Sequence, residues 1–441
     1  MKKSYYTYFA PTKQGFIGYN TVGNSFVYLR REIYVNYYNS DQFVELENLF
    51  PVQYQQLIES GFLIDDDVNE FENLQKEYEN QAKGSTDYEL TLLPTLDCNL
   101  RCWYCYEKHI IGSRMSETVR DLILQHVSNV LDNSSIHVLK VTMYGGEPLL
   151  YFKEELYPLL KQIKQIAENR EKSVSFFFVT NAVCIDDASI PLLKELNSNF
   201  QISIDGYKEK HDKVKFIPGS RRGTYDQVIE TIYKLTEQIE NVYINLRLNY
   251  DDETLLNMEQ LVKDLLTVDR RKIGIHLERV WQTSGSLNPN NVQLKNVINL
   301  LLLNKFNVSY MNLFRKKLSC HSSMENQSVI SYDGKVYKCT GRDFTDSFSE
   351  GRLQENGSIR WDHKALDRRM QICTYDNQKC RTCKFLPLCW GPCNQKLLES
   401  GVTEKSISQY CQLNLMEMPL DDYICYRFNN EVQRRNNYEC S

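Results

Sequence analysis

This chain of 441 residues lacks several features that mark whole classes of protein. No apolar stretch approaches the roughly 18 residues of a membrane-spanning helix, and the N-terminal MKKSYYTYFAPTK lacks the apolar run of a secretory signal. The formal net charge of -5 is too small to attract nucleic acid nonspecifically. The sequence has neither an internal repeat nor a low-complexity tract. We therefore expect a cytoplasmic protein without a membrane or nucleic-acid partner.

The composition is that of a folded globular protein. Hydrophobic residues make up 42% and charged residues 25% of the chain, near the averages of globular domains, and the length suits two or three domains. Without a secretory signal, the 14 cysteines indicate ligands or catalytic groups rather than disulfides. Three lie between residues 98 and 105, and seven form a patterned block between 320 and 411. The remaining four are Cys184, Cys373, Cys425 and Cys440.

From Tyr88 onward, short β-rich apolar runs alternate with amphipathic helical stretches, which is the pattern of repeated βα units. Strands are predicted near 89–96, 136–143, 174–180, 199–204, 242–249 and 273–279. Helices are predicted to begin near Ser116, Lys153, Asp187, Thr224 and Thr254. Parallel strands with right-handed crossovers can curl into a barrel whose functional loops follow the strands. The predicted fold class is therefore α/β, with a partial (β/α)6 TIM-like barrel.

A smaller unit precedes this barrel. Residues 4 to about 70 predict strand, turn and strand (FIGYN, TVG, NSFVYLR) followed by a helix near 42–60, a pattern similar to a winged-helix unit. The charged segment FENLQKEYENQAKGSTD then predicts a solvated helix or linker. We expect the winged-helix-like unit and linker at 1–83, the barrel at 84–290, a helical bridge at 291–318, and a cysteine-rich domain with the C-terminal tail at 319–441.

Cys98, Cys102 and Cys105 form the loop CNLRCWYC, in which three thiolates can converge on one metal centre. Structural zinc takes four ligands, and only His109 lies close enough in sequence to complete such a set. A cubane iron–sulfur cluster with three irons held by thiolates and the fourth iron open is the better match. The loop resembles the CxxxCxφC signature of the radical S-adenosylmethionine (SAM) superfamily, with Tyr104 as its aromatic residue.

Three later motifs extend this resemblance, each at the end of a predicted strand. MYGGEPLL is similar to the superfamily's GGEP motif, VTNAV to its TNG motif with Ala182 in place of glycine, and ISIDG to its SxDG stretch. The resemblance implies that SAM binds the open iron and lies against Tyr104, Gly145, Gly146, Glu147, Asn181, Ser203 and Asp205, with the GGE segment on the methionine amino group. By analogy, Arg222 or Arg221 would contact the cofactor carboxylate, and Leu277 could pack on the adenine.

Each of these motifs taken alone has an ordinary structural explanation. A GGEP is more often a turn, a buried asparagine such as Asn181 commonly satisfies backbone groups, and Leu277 suits a hydrophobic core. Their joint occurrence, in order and at successive strand ends, favours the radical SAM interpretation. That interpretation implies that one electron cleaves SAM and releases a 5′-deoxyadenosyl radical, which abstracts hydrogen from a substrate.

The second cysteine block resembles the seven-cysteine SPASM domain across residues 318–415. Its cysteines are Cys320, Cys339, Cys380, Cys383, Cys389, Cys393 and Cys411. A zinc ribbon is the alternative for CRTC followed by CWGPC. The resemblance implies two auxiliary 4Fe-4S clusters, and hence three clusters in all. Cys380, Cys383, Cys389 and Cys411 would hold one of them, and Cys320, Cys339 and Cys393 would supply three ligands of the other.

Some relatives have a further cysteine a few residues before this block, where FNVSYMNLFRKKLS contains none. The second auxiliary cluster would therefore have an open iron, or would take Cys373, Cys425 or Cys440 as its fourth ligand. An open iron could bind a substrate Cys thiolate and orient it for thioether formation. Cys184, by contrast, suits a small buried hydrophobic position.

Enzymes of the SPASM type that mature ribosomally made peptides often carry an N-terminal element that captures the leader peptide as an added β-strand. The sequence therefore predicts a radical SAM oxidoreductase that crosslinks a precursor peptide, with a Cys thioether as the first choice. C–C or C–O crosslinking comes next, and formylglycine formation, as in sulfatase-maturing enzymes, third. A non-catalytic binding protein, a zinc-stabilised interaction protein, and a capping role for the N-terminal unit are the alternatives of other classes. An electron donor such as flavodoxin or ferredoxin is expected as a second partner, and no catalytic base is assigned.

Overall fold

The computed structural model describes residues 1–283, 287–311, 320–373 and 376–439. The strands in this part are β1 (Lys2–Lys3), β2 (Thr7–Pro11), β3 (Gly15–Asn20), β4 (Ser25–Arg30), β5 (Leu63–Ile64), β6 (Asp87–Leu93), β7 (Val138–Met143), β8 (Ser173–Thr180), β9 (Asn199–Ile204), β10 (Ile244–Tyr250), β11 (Ile273–Arg279), β12 (Asn307–Tyr310), β13 (Gln327–Ser331), β14 (Lys335–Tyr337), β15 (Gly351–Leu353) and β16 (Ile359–Trp361).

The α-helices are α1 (Arg31–Asn39), α2 (Val44–Leu49), α3 (Pro51–Glu59), α4 (Glu70–Gly84), α5 (Glu117–Asp132), α6 (Tyr157–Glu168), α7 (Ser189–Glu195), α8 (Lys208–Val214), α9 (Tyr225–Gln238), α10 (Met258–Asp264), α11 (Val292–Leu303), α12 (His363–Met370), α13 (Gln378–Arg381), α14 (Leu386–Cys389), α15 (Asn394–Ser400), α16 (Glu404–Gln409) and α17 (Leu420–Glu439). A π-helical turn, Phe152–Leu156, leads into α6.

The strands from β6 to β11 are the six predicted ones, and they pair in parallel in sequence order. The sheet continues beyond the prediction on both sides. Strand β12 adds in parallel to β11, and β13 adds in parallel to β6. The antiparallel strands β14 to β16 then extend the sheet past β13. The sequence predicts neither β12 nor β13. Strand β12 has only four residues, and β13 pairs with a strand that lies more than 200 residues earlier in the chain.

The parallel strands present two different faces, since successive side chains alternate across a strand. One face packs against helices: Phe178 of β8 meets Phe152 edge to face and stacks on Phe200 of β9. The opposite face carries Ser203, Arg247 and His276, which lie side by side in the register of β9, β10 and β11. The polar face is therefore the inner face, toward which the loops after the strands can deliver functional groups.

Helix caps follow the local sequence signals. Ser116 caps α5 by accepting a hydrogen bond from Val119 N, as the prediction of a helix start near this residue implies. Thr224 directly precedes α9, which also agrees with the prediction. Asn291 caps α11 by accepting from Leu294 N. The bridge predicted to be helical over 291–318 is helical only in α11, since strand β12 follows it, and residues 312–318 lie outside the described ones.

The N-terminal unit is a three-stranded antiparallel sheet, in the order β2-β3-β4, with α1 to α3 packed beside it. The predicted strand, turn and strand are β3 and β4, but α1 was not predicted. The helix predicted near 42–60 is divided into α2 and α3 at Phe50, because Pro51 has no N–H with which to continue a helix. The predicted linker helix is α4, and it buries Leu74 and Ala82.

Strands β2 and β4 are the two edge strands of this small sheet, because each pairs only with β3 among the described residues. Helix α17 packs against β2 and β3, and the hydroxyl of Tyr8 on β2 donates to Asp421 of that helix at 2.7 Å. Phe428 of α17 also meets Phe26 of β4 edge to face. In the described part of the chain, no helix is both long enough and apolar enough to span a membrane.

Candidate active site

The loop that follows β6 carries Cys98, Cys102 and Cys105, and the segment after β7 fixes its stem. Gly146 N donates to Thr95 O at 3.2 Å, and Glu147 N donates to Asp97 O at 2.8 Å. A Cβ atom on Gly146 would lie 2.1 Å from Asp97 O, and one on Gly145, at φ +108°, would lie 2.5 Å from Thr95 O. Both glycines are therefore required by backbone contact with the residues just before Cys98.

Glu147 joins the ends of two strands beneath this loop. Its carboxylate is 1% exposed and accepts hydrogen bonds from Thr180 Oγ1 at 2.7 Å, Asn181 N at 2.9 Å and Leu149 N at 3.1 Å. Burial raises the pKa of Glu147, while these hydrogen bonds act in the opposite direction. Three donors already surround the carboxylate, and the contact of the GGE segment with the methionine amino group stays a prediction.

Asn181 connects the end of β8 to the cysteine loop. Its Nδ2 donates to Asn99 Oδ1 at 2.8 Å and lies 3.9 Å from Cys98 Sγ. The next residue, Ala182, has φ +65°, in the left-handed region that glycine adopts most readily. The backbone of this chain thus keeps the conformation that the glycine of a TNG motif would favour.

A buried lysine that the sequence reasoning missed lies against the middle cysteine. Lys215 is 4% exposed, and its Nζ is 3.6 Å from Cys102 Sγ and 3.5 Å from Asp205 Oδ2. Asp205, 1% exposed, also accepts a hydrogen bond of 2.7 Å from the Tyr104 hydroxyl. Burial opposes the charge on Lys215, but Cys102, Tyr104 and Asp205 raise its pKa well above the usual value. Its only sequence signal is its place at the end of α8, which follows SIDG.

The two arginines offered as candidates for the cofactor carboxylate, Arg222 and Arg221, lie at the surface, and the contact stays a prediction. Arg222 is exposed, and its Nη2 donates to Gln227 at 3.3 Å. Arg221 is exposed as well. Lys215 contacts the cysteine loop, whereas the two arginines do not. Lys215 directly follows α8, and the arginines lie in the loop before α9.

Leu277 is completely buried and lies in register with Leu248 on the face that packs against helices. Its neighbours His276 and Glu278 face the inner side instead, because side chains alternate along β11. This position agrees with the core interpretation of Leu277, and the adenine contact stays a prediction.

The inner face forms a polar path that ends at the cysteine loop. Arg247 Nε donates to Asn249 Oδ1 at 2.9 Å, and Asn249 Nδ2 donates to the Tyr104 hydroxyl at 3.1 Å. His276 Nε2 and Glu278 Oε2 are 3.1 Å apart on the adjacent strand. Ser203 lies in register with Arg247 and is half-buried. These groups line the space where a substrate would meet a radical generated at the loop.

Four thiols of the second block form one neighbourhood. Burial, together with the thiols of Cys383, Cys411 and Cys380, raises the pKa of Cys389 to about 12. Burial likewise raises the pKa of Cys380 to about 11, with contributions from Cys383 and Cys411. These interactions link the four cysteines that the SPASM resemblance assigns to one cluster.

The other three cysteines are brought together by one buried arginine that the sequence analysis did not single out. Arg369 is 0% exposed, and its three nitrogens reach three loops. Its Nε donates to Glu350 Oε1 at 2.6 Å, Nη1 lies 3.5 Å from Ser322 Oγ, and Nη2 donates to Gln395 Oε1 at 2.8 Å.

Each of these partners adjoins a cysteine. Ser322 Oγ is 3.2 Å from Cys320 Sγ, and Gln395 is two residues after Cys393. Glu350 Oε2 accepts from the backbone N–H of Lys338, the residue before Cys339, at 2.8 Å. Arg369 therefore fastens together the three loops that carry Cys320, Cys339 and Cys393.

Of the three candidates for a fourth ligand, the structure brings one near this set. Burial, together with the thiols of Cys373 and Cys320, raises the pKa of Tyr78 to about 12. Cys373 and Cys320 thus share one neighbour. Cys425 lies on α17 beside Asp421 and Asp422, and Cys440 lies outside the described residues.

No three His, Cys, Asp or Glu side chains in the described ranges converge closely enough to be recognised as a single-ion site. The candidate metal ligands are instead cysteine thiols that lie among buried side chains. Soft thiolate ligands in sets of three and four suit iron–sulfur clusters, and the glycine pair beside Cys98 leaves backbone accessible at the loop. The residues present therefore fit the groups that the sequence predicts.

Comparison with known proteins gives a match of residues 92–265 to the Radical SAM superfamily. A GTP 3′,8-cyclase of Clostridium perfringens (strain SM101) is 35% identical over 164 residues, or 36% of this chain and 46% of that enzyme. The chain thus spans about half the length of this relative. A cysteine-type anaerobic sulfatase-maturating enzyme of Clostridium perfringens (strain 13) is 23% identical over 352 residues, or 71% of this chain and 90% of that enzyme.

Two solved structures resemble the whole architecture. Native anSMEcpe with bound AdoMet and Cp18Cys peptide has a TM-score of 0.58 at 20% identity, covering 80% of this chain and 100% of that one. Streptococcus suis SuiB bound to the precursor peptide SuiA has a TM-score of 0.52 at 15% identity, covering 93% of this chain and 100% of that one. At such identities the likeness concerns the fold alone.

The fold and the cysteine loop define an α/β domain with three cysteines at the carboxyl ends of parallel strands. The match over residues 92–265 identifies this part of the chain as a Radical SAM domain. The prediction of a radical SAM enzyme is confirmed at that level. The SPASM and winged-helix assignments, the domain bounds and the number of auxiliary clusters stay predictions.

Proposed function

We propose that this protein is a radical SAM peptide maturase that forms a crosslink, most simply a Cys thioether, in a ribosomally made precursor peptide. The observation that carries the proposal is the N-terminal unit with its unpaired edge strand β4, attached to the barrel and the second cysteine block. The likeness to SuiB, crystallised with its precursor peptide, extends over 93% of the chain, against 80% for anSMEcpe.

Residues of the cysteine loop would hold the first cluster and the cofactor. Bound there, the cluster would supply the electron that cleaves SAM to a 5′-deoxyadenosyl radical. Cys98, Cys102 and Cys105 provide three thiolates, the backbone of Gly145 and Gly146 approaches the loop closely, and Lys215 contributes the nearest buried positive charge. Tyr104, which is hydrogen-bonded to Asp205 and Asn249, and the polar inner face would line the side of the site that faces the substrate. A flavodoxin or ferredoxin remains the proposed electron donor.

The three-thiol set of the second block supports a role for the substrate. If Cys320, Cys339 and Cys393 hold a cluster with one open iron, a peptide Cys thiolate can bind it and be held for bond formation. Cys373 is the candidate within this chain for that position, because Cys373 and Cys320 both act on the pKa of Tyr78. Soft sulfur ligands suit either arrangement.

Formylglycine formation is the second candidate, since the sulfatase-maturating relative matches over 90% of its own length. Mass spectrometry separates the two functions. We expect the anaerobically reconstituted protein, given SAM, a reductant and the peptide encoded beside its gene, to yield 5′-deoxyadenosine and a product lighter by two hydrogens per crosslink. A sulfatase-derived Cys peptide should remain unchanged.

The control for this assay is Cys102→Ala, which removes one thiolate of the first cluster while the second block keeps its cysteines. It should release no 5′-deoxyadenosine. Iron-replete, reduced wild-type protein that makes neither 5′-deoxyadenosine nor a modified peptide would refute the proposed function. Conversion of the sulfatase peptide would favour the second candidate.

Leader recognition gives a separate prediction at strand β4. Tyr28 on this strand is 41% exposed, and edge-strand addition relies on main-chain bonds supported by side-chain contacts. Tyr28→Asp should weaken binding of a fluorescein-labelled leader peptide by about tenfold or more, or about 1.4 kcal/mol. Fluorescence anisotropy measures this affinity.

Leu303→Asp is the matched control, because Leu303 is 82% exposed on α11, far in sequence from the N-terminal unit. It should bind the leader as tightly as the wild type. Equal weakening by both substitutions, or none by Tyr28→Asp and by a second β4 change such as Arg30→Glu, would argue against leader binding at this edge.

A further inference from the structure

Arg342 is a buried guanidinium with unused donors beside the second set of three cysteines. It is 6% exposed, and neither Nε nor Nη2 has a hydrogen-bond acceptor among the described residues. One face of the guanidinium lies over the ring of Phe348, 4.9 Å from its centroid. The aromatic ring occupies the face of the ion and cannot accept its in-plane N–H groups, so within the described part of the chain two strong buried donors lack an acceptor.

The charge of Arg342 acts on the cluster loop. The residue lies three positions after Cys339, within the turn in which Gly341 N donates to Cys339 Sγ at 3.3 Å. Arg342 and Cys339 therefore belong to one short turn, in which a guanidinium can stabilise negative charge on sulfur.

The surroundings contain more positive than negative charge. Lys338, Arg342 and Arg369 are each at least nine-tenths buried, and Glu350 is the buried acid among them. Arg369 and Glu350 pair with each other, and the Lys338 ammonium donates to the carbonyls of Met324 and Gln327. Arg342 alone of these cations has no acceptor among the described residues, and an enclosed cation without one is costly. The Nε–H and Nη2–H groups of Arg342 are therefore available to an anionic acceptor.

We propose that Arg342 donates its Nε–H and Nη2–H groups to the sulfur atoms of the iron–sulfur cluster held by Cys320, Cys339 and Cys393, and so raises the reduction potential of that cluster. The inference rests on the proposed function only in requiring a cluster at these cysteines. Reduction adds one electron to an already anionic cluster, and hydrogen bonds to its sulfurs stabilise the added charge. Arg342 is thus a positioning and tuning residue, distinct from the thiolate ligands.

An EPR-monitored redox titration of the reconstituted full-length protein tests this without any peptide. The signal of this cluster is assigned as the one lost in Cys320→Ala. In Arg342→Gln, the ratio of reduced to oxidised cluster at a fixed potential should fall about tenfold, a shift of about 59 mV for one electron. The midpoints of the other two clusters should not change. Arg360→Gln, an exposed arginine on β16, is the matched control and should match the wild type.

An unchanged midpoint in iron-replete Arg342→Gln would overturn the proposal. If that variant fails to load the cluster, Arg342→Lys decides, since it keeps the charge but not the planar fork: a smaller fall in potential supports the contact, and a wild-type midpoint overturns it. Loss of the cluster from both variants would make Arg342 an assembly residue and would also overturn the tuning role. Wild-type protein that binds no iron at Cys320 and Cys339 would instead contradict the proposed function.

Discussion

Arg369→Leu should lose the cluster of Cys320, Cys339 and Cys393 while keeping the other two. Its guanidinium holds the Cys320, Cys339 and Cys393 loops through Ser322, Glu350 and Gln395. Leucine fills part of the volume but leaves the Glu350 carboxylate, 4% exposed, without its cation. Breaking a buried ion pair by removing one partner costs about 3–5 kcal/mol. Iron analysis should show about four atoms fewer out of about twelve, and denaturant unfolding should show the loss of stability.

The neighbouring residue provides the control for this experiment. Arg368 is exposed on the same helix, α12, and Arg368→Leu should retain the iron content and the unfolding midpoint of the wild type. Arg369→Lys should recover part of the stability, because lysine restores the charge opposite Glu350 but reaches fewer of the three loops. A fully loaded and equally stable Arg369→Leu protein would show that the three loops assemble without this contact.

The sequence predicted those parts of the site whose chemistry depends on residues close together along the chain. The spacing of Cys98, Cys102 and Cys105 specifies three ligands on one loop, and the glycines of GGEP are imposed by a backbone contact that tolerates no Cβ. The six strands were predicted because each is a short apolar run followed by a helical pattern. Such features depend on neighbours along the chain.

Features that depend on distant parts of the chain were not predicted. In the sequence, Lys215 and Arg369 have no feature that distinguishes them from surface cations. Folding buries Lys215 against Cys102 and Arg369 against Glu350. For Leu277 the sequence leaves both a core position and an adenine contact open, because a parallel strand buried on both sides lacks the alternation of polar and apolar residues that would show which face a side chain occupies. Strand β13 joins β6 through pairing that no local pattern encodes.

Lys215→Met should abolish most SAM cleavage. The Lys215 ammonium is the buried cation between Cys102 Sγ and Asp205 Oδ2, and methionine preserves its length without its charge. The substitution removes the cation from the buried Asp205 carboxylate, which is 1% exposed. The loss of such an ion pair costs about 3 kcal/mol or more. If this cost falls on the bound cofactor, the rate of 5′-deoxyadenosine release should drop about 100-fold or more.

The same helix offers the control, since Lys213 is 70% exposed and Lys213→Met should leave cleavage unchanged. Arg222→Met should also have little effect, because the structure puts that guanidinium on Gln227 at the surface. Lys215→Arg separates charge from shape: recovery of cleavage would assign the role to the positive charge near Cys102. If Lys215→Met cleaves SAM as fast as the wild type while Arg222→Met does not, the cofactor's cation is the arginine that the sequence predicted, and Lys215 serves the packing of Asp205 alone.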